Sequence, residues 1–414
     1  MTKLRGDGMP GPQWSAIAVT TVLLCAAAGC IDSFDTQMIG FTGRLIATDL
    51  RIPVAQLGWL FGAGQLGGAA GALVFGSLAD RFGRRRMLVV SCLLAAACTA
   101  AALTAQSYPI LLVYRVLTGI GLGGLMPCFL GLGVEAMPPR MRLALTPVLY
   151  STFPLGGVIG AWVSAPLIAA SGWRGVFALG AVALAAVGLS AMLLPTSRDA
   201  SAAAGASGSR APGRLAALFV GDHGPVTPML WALFLLAPMG VYLLVLWEPS
   251  LLQMQGVTAA RTSLLVGFLN LGALVVALCG GKLLERAGAL RTLGPLLVIG
   301  AVTFALSALL HRDFAALVVV SIVAGAALGG GMSLLVSIAA TAYPSDVRAT
   351  GIGWAMGIAR VGQMTAPLPI GWILAAGVSP QAALTACGAP ALLALAPLIL
   401  LDRALVRRRS ERIS

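Results

Sequence analysis

Twelve apolar runs, most of them about 20 residues long or longer, dominate this chain, and a run of that length matches a helix crossing a hydrocarbon slab of roughly 30 Å. They span 16–40, 54–79, 87–105, 109–133, 144–169, 175–194, 229–250, 263–281, 292–310, 314–341, 350–375 and 381–401. With 58% hydrophobic and 10% charged residues, the chain lies far outside the composition of soluble domains. The expected fold is therefore an all-α integral membrane protein with twelve transmembrane helices. Met1 to Gln13 is polar, and the first run is long and carries acids, so it reads as a retained helix and not as a cleavable signal.

The net charge of +13 would point to nucleic acid in a soluble protein. Its distribution argues otherwise. With the amino terminus placed in the cytoplasm, 20 of the 27 Lys and Arg residues fall in inner loops and tails and five in outer loops. This asymmetry is the positive-inside pattern of a cell inner membrane protein with both termini cytoplasmic, and no nucleic-acid partner is expected. The seven cysteines all lie within predicted helices, where they pack as small buried residues without a disulfide framework. Only His223 and His311 are present, both in loops, and neither HExxH nor a membrane-embedded GxSxG occurs, so neither an enzyme nor a metal site is expected.

Between Pro195 and Pro228 the composition turns to Ser, Ala, Gly and charge, which cannot bury a core. The expected organisation is an N-terminal six-helix half (1–194), a cytoplasmic linker (195–228), a C-terminal six-helix half (229–401) and a basic tail (402–414). The halves echo each other. Gly76, Leu78, Asp80, Arg81, Gly83 and Arg86 recur as Gly281, Leu283, Glu285, Arg286, Gly288 and Arg291, an offset of 205. TGIGLGGLM at 118–126 is matched by AGAALGGGM at 324–332, an offset of 206. Duplicated bundles of this kind place a site between two halves that can rock. Small residues spaced by four, as in Gly64/Gly68, Gly67/Gly71, Gly156/Gly160, Gly325/Gly329 and Gly353/Gly357, allow close helix approach, either static or moving.

A charge at mid-bilayer costs at least about 2.5 to 3.5 kcal/mol, so each one within a run needs a partner or a wet path. Asp32 and Asp35 lie three residues apart on one helical face, and two such carboxylates repel as anions and favour a bound proton. Counted at 1.5 Å per residue, Asp32 stands roughly 24 Å and Arg115 roughly 21 Å above the inner boundary. Arg115 can then neutralise an Asp, hold an anionic substrate or form a structural pair. Arg360 stands about 15 Å up, near the midplane, with no acid in its own run, and its donor fork suits a carboxylate. Asn270 is either interhelical glue or a ligand contact. Glu248 is expected at the hydrated rim, and Trp14, Tyr108 and Trp173 at the membrane interfaces. Tyr242, Trp247, Trp354 and Phe153 either pack or line a cavity for an aromatic ring. In GSLADRFGRRR, Gly76 and Gly83 allow a close approach and a tight turn, and Asp80 with the arginines forms a charge relay.

These residues together resemble the major facilitator superfamily, whose hallmark loop between helices two and three reads much like Gly76 to Arg86. Within it the chain is similar to the aromatic acid:proton symporters. Their Asp-Gly-Phe-Asp motif appears as Asp32-Ser33-Phe34-Asp35, with Thr36 and Ile39-Gly40-Phe41 following. Arg115, Met126-Pro127 and Glu135 match their fourth helix, Asn270-Leu271-Gly272 their eighth, and Gly357-Ile358-Ala359-Arg360 their eleventh. The resemblance implies two pseudo-symmetric six-helix bundles around a central cavity. It implies proton coupling at Asp32 and Asp35, with the proton as coupling ion and no other cofactor. It implies gating by Gly76, Asp80, Arg81, Gly83, Arg84, Arg86 and Glu135. Arg360, Arg115 and Asn270 would bind a small aromatic carboxylate. Ser33 and Ala359 stand where the family has Gly.

The resulting expectation is a monomeric, proton-coupled importer of a small aromatic carboxylate. A drug or other organic-acid carrier of the same scaffold is the nearest alternative, although Pro154-Leu155-Gly156-Gly157 only echoes the antiporter signature. A non-transporting receptor is the remote one.

Overall fold

A computed structural model of the chain describes residues 15–138, 141–194, 217–220, 224–344 and 347–411. Among them the regular structure is entirely helical. In lipid this is forced, because a helix satisfies its own backbone donors and acceptors. The passes are α1 (Ala16–Asp49), α2 (Val54–Phe82), α3 (Arg84–Ala102), α4 (Tyr108–Ala136) and α5 (Arg142–Ala191), which crosses twice. The break in α5 is Gly172, whose φ of 63° and ψ of −154° only glycine adopts freely. The second half begins with α6 (Val226–Leu246) and the short α7 (Glu248–Met254), then α8 (Ala259–Ala287) and α9 (Ala289–Leu309). The tenth pass is α10 (Phe314–Ala324), a π-helical turn (Gly325–Gly329) and α11 (Gly330–Ala342). The eleventh is α12 (Arg348–Thr365) with α13 (Pro367–Ala375), and the twelfth is α14 (Pro380–Ala386), α15 (Ala389–Leu393) and α16 (Leu395–Glu411).

Ten helical stretches among the described residues are long and apolar enough to cross a membrane. That number agrees with twelve passes, because α5 is one stretch crossing twice and the eleventh pass is divided at Pro367. Large side chains such as Leu73, Val182, Leu193 and Leu309 are exposed on the outside of the bundle, as lipid contact requires. Most of the expected linker, residues 195–216, lies outside the described residues, as do Trp14 and the end of the basic tail.

Glycine is what lets these helices touch. Within the first half, side chains on Gly119 and Gly123 of α4 would collide with the backbone of α2 at Gly64 and Gly68, and one on Gly156 of α5 with Cys30 of α1. Gly325 does the same in the second half against Leu269. These spaced pairs are static seams inside each bundle. Other glycines serve the junction between bundles. A side chain on Gly40 would strike the carbonyl of Val245, and one on Gly58 would come within 2.7 Å of the carbonyl oxygen of Pro367.

Contacts between halves run along α1 with α6 to α8, α2 with α12 and α13, and α5 with α8. At the end away from the basic α2–α3 turn they are dense. Ser250 Oγ donates to the Gly40 carbonyl at 3.0 Å, Gln253 Nε2 to that of Phe41 at 2.9 Å, and Trp247 Nε1 to that of Pro367 at 2.9 Å. Pro249 has no N–H to offer the Val245 carbonyl four residues earlier, which leaves that oxygen free to lie against Gly40. Toward the basic end, side-chain positions at Gly353 and Gly357 of α12 meet nothing within 4 Å. The far end is therefore sealed, and a space opens between the halves from mid-depth toward the basic end.

Candidate functional site

The two acids of α1 separate in the structure. Asp35 is 0% exposed and turns into the first bundle, where Arg115 Nη1 meets its Oδ1 at 3.1 Å and Thr99 Oγ1 donates to Oδ2 at 3.1 Å. Arg115 is 3% exposed, with its guanidinium 5.9 Å from the centre of the Phe177 ring. A buried guanidinium on a buried carboxylate satisfies both charges, and it leaves Arg115 occupied. The nearly equal heights of Asp32 and Arg115 do not make them partners. Asp32, three residues earlier on the helix, makes no hydrogen bond or ion pair among the described residues.

Arg360 of α12 likewise has no hydrogen bond or ion pair among the described residues, and its Nη1 lies 3.9 Å from where a Gly68 side chain would start. Gly353 and Gly357 share its helical face at three- and four-residue steps, so that face is bare from Arg360 toward the basic end. Asp32, Arg360 and Tyr242 of α6 lie within one another's electrostatic reach. An acid, a guanidinium and a phenol from three passes are thus near one another, with Arg360 at the head of the bare face of α12. An anion with an aromatic body finds there a fork for its charge and a ring to pack on.

Asn270 is bound in a polar link between the halves. Its Nδ2 donates to Gln37 Oε1 at 2.7 Å and to the Val266 carbonyl at 2.8 Å. Gln37 Nε2 donates back to Asn270 Oδ1 at 3.2 Å and to Ser33 Oγ at 2.7 Å. Ser33, which stands where the resembling family has Gly, thus orients the glutamine of the link. Neither Gln37 nor the use of Ser33 was anticipated from the sequence. The signal was present: Gln37 follows Ser33 by four residues, one helical turn.

At the basic turn, Gly83 has φ of 92°, as a tight reversal between α2 and α3 needs. Arg84 crosses over Gly131, where a side chain would block it, and reaches Glu135 at 3.0 Å. Arg85 donates to the carbonyls of Ala191 and Met192. Arg81 stacks 5.4 Å from the Phe82 ring and Arg86 is exposed. Two expectations are corrected here. Asp80 is exposed and joins no ion pair among the described residues, so the acid of the relay in this state is Glu135. A side chain at Gly76 would meet nothing within 4 Å, so no close approach occurs there.

Three further placements differ from expectation. Glu248 is 5% exposed, because α7 continues the seventh pass and carries it into the bundle, where Ser307 Oγ donates to its Oε1 at 2.6 Å. Trp173 is buried and donates from Nε1 to the Asp49 carboxylate at 3.0 Å, and so ties the end of α1 to α5 instead of anchoring in lipid. Trp247 is fully buried edge-on against Phe61, a part of the seal and not of a ring-binding cavity.

Comparison with known proteins agrees with this architecture. The profile of the Major Facilitator Superfamily matches residues 25–295 and, overlapping them, 256–413. The chain is 33% identical over 395 residues to the 3-(3-hydroxy-phenyl)propionate transporter of Escherichia coli (strain K12), covering 94% of this chain and 95% of the relative. It is 30% identical to the gallate transporter of Pseudomonas putida, covering 89% and 88%, and 30% identical to the 4-hydroxybenzoate transporter of the same organism, covering 90% of each. Among solved structures, a bacterial homologue of the human lysosomal transporter Spinster, inward-facing and occupied, superposes with a TM-score of 0.76 at 17% identity, covering 93% and 97% of the two chains. A D-xylose–proton symporter superposes with a TM-score of 0.71 at 15% identity, covering 91% and 96%.

Proposed function

The chain belongs to the major facilitator superfamily, and from that premise we propose that it imports a small aromatic carboxylate together with a proton by alternating access. It is a multi-pass membrane transporter, like the relatives it resembles, and not an enzyme. In this reading the basic end faces the cytoplasm, with both termini, and the membrane is the inner one. The observation that carries the reading is the unpaired Arg360 at the closed end of the open space. A lone guanidinium at that depth calls for an anion, and the relatives are named for carriers of phenolic and benzoic acids.

Asp32 is the coupling acid. It lies in the fields of Arg360 and Asp35 and has no ion pair among the described residues, so its charge is neutralised either by a proton or by that arginine. When the substrate carboxylate occupies Arg360, Asp32 loses its neutralising field and takes a proton. The loaded, protonated carrier then holds no excess charge and can rock. Asp35 with Arg115 supports this site from inside the bundle, Asn270 holds the halves in register, and Arg84 with Glu135 ties α3 to α4 at the cytoplasmic end. The monomer is complete in this scheme, and the surrounding partner is the lipid bilayer.

The test is uptake of a panel of benzoic, phenylpropionic and hydroxylated aromatic acids into proteoliposomes with an imposed pH gradient. Accumulation of at least one acid, driven by outside acidity and lost in R360K, is the expected result. Flux that runs against the proton gradient would assign an exporter instead.

A further inference from the structure

We infer that Glu248 is a second proton-binding site, in the C-terminal half, which holds its proton while the far end is sealed and releases it to water when that end opens. Three observations meet at this residue. The first is its company. Glu248 is buried with no ion pair among the described residues. From α9 it meets Ser307, and a void of about 10 Å³ beside it is lined also by Thr262 of α8 and Ser321 of α10. The Cys387 thiol of the twelfth pass is the titratable group within its field. Among the described residues Ser307 is the one hydrogen-bonded to Glu248, since the Thr262 hydroxyl donates to the Ala259 carbonyl and the Cys387 thiol to that of Ala383, and none of these groups supplies a counter-charge. A carboxylate buried without a cation is strongly disfavoured, whereas the neutral acid is accommodated in such a setting. The void is near the smallest space that takes one water, and its exposed lining is apolar, so it offers an ionised carboxylate no hydration.

The second observation comes from the duplication. In the first half the buried acid Asp35 is bonded to Thr99 of the third pass and to Arg115 of the fourth. In the second half the buried acid Glu248 is bonded to Ser307 of the ninth pass, the one that repeats the third. The register that carries 118 onto 324 carries Arg115 onto Ser321. The second half thus has a hydroxyl where the first has the cation, while its acid and hydroxyl, Glu248 and Ser307, stand at other positions of the repeat than Asp35 and Thr99, which the same register carries onto Val241 and Ala305. One half holds its carboxyl with a fixed charge, and the other leaves that role to a mobile one.

The third observation is location. Glu248 opens α7, the segment that makes the seal: its neighbours Trp247, Ser250 and Gln253 bond to the α13 and α1 backbones. Opening the far end has to lift α7 from α1, which admits water to the start of α7. Protonation closes the seal around a neutral side chain, and ionisation favours the opened, hydrated state. The proton is exchanged with water on the far side, and no other bond is made or broken.

The test uses the full chain in liposomes and needs no transported substrate, so it stands apart from the aromatic-acid reading. Infrared difference spectra are expected to contain a protonated-carboxyl stretch that is absent in E248Q, shifted in E248D and retained in D32N. In parallel, Val245→Cys, seated against Gly40, reports the seal through its labelling by a membrane-impermeant maleimide. Labelling is expected to rise from mildly acidic to alkaline medium in V245C and in V245C/E248D. In V245C/E248Q it stays low and flat, because the amide mimics the protonated acid. Identical carboxyl spectra for the wild type and E248Q, or an unchanged rise of labelling in V245C/E248Q, would overturn the proposal. If E248Q does not fold, E248D spectra with an unshifted carboxyl band would overturn it equally.

Discussion

Asp35 and Arg115 hold each other in a pocket that water does not reach, so removing either charge strands the other. Breaking a buried pair from one side costs about 3 to 5 kcal/mol, more than a surface pair by several-fold. D35N is therefore expected to lower the melting temperature of the detergent-solubilised protein sharply, with part of the loss recovered in D35N/R115Q. D32N, by contrast, removes a group with no partner among the described residues and is expected to melt like the wild type while losing proton-driven accumulation. Unequal behaviour of two acids three residues apart separates a structural carboxylate from a coupling one, and equal melting of D35N and D32N would reject it. The sequence placed both acids on one stretch of the first helix, because they lie in one apolar run. It did not distinguish them, since residues three apart differ by only about 60° around the axis and α1 is apolar on most sides. Arg360 was legible for the opposite reason: a lone arginine in an apolar run has few places to go.

At the scale of elements, the seal depends on backbone meeting backbone where a glycine allows it. Gly40 against Val245, Gly371 against Ala55 and Gly58 against Pro367 are such contacts at the far end. G40V is expected to hold the end of α6 off α1 and to raise maleimide labelling of Val245→Cys severalfold, with uptake reduced in proportion. Gly76→Ala, at a position with nothing within 4 Å, is expected to leave the melting temperature unchanged or slightly raised, as alanine favours the helix by roughly 0.5–1 kcal/mol. Normal closure in G40V would show that the seam is not what limits the seal. The twelve runs and the Gly83 reversal were readable, since hydropathy and a glycine turn are local signals. The end of the seventh run was not. After Leu246 the hydropathy drops through Trp247, Glu248, Pro249 and Ser250, and so the bend that buries Glu248 reads as a span ending at the surface. Likewise α1 runs on to Asp49, where Thr42 to Ala47 mix polar and apolar residues whose burial only the neighbouring passes decide.

For the whole molecule, the seal at one end and the bare face of α12 at the other describe a carrier at rest with its site open to the basic end. The Gln37–Asn270 link belongs to this state, because a rocking motion that opens the far end separates α1 from α8. Interhelical hydrogen bonds within membranes are worth about 0.6 kcal/mol each, so the two together favour this state by about 1.2 kcal/mol, roughly eightfold in population. That preference acts on timing. An empty carrier has to break the link before it can collect the next substrate, and this return is expected to be the slow step of the cycle, whereas a substrate-bound carrier returns with its binding energy in hand. Preloading proteoliposomes with unlabelled substrate is therefore expected to accelerate entry of labelled substrate, and N270A to diminish the acceleration by hastening the empty return. Equal rates with and without preloading would exclude this. The amide pair would thus act as a throttle: turnover would be set by how often idle carriers leave the state open to the basic end, and supply at the other end would matter less.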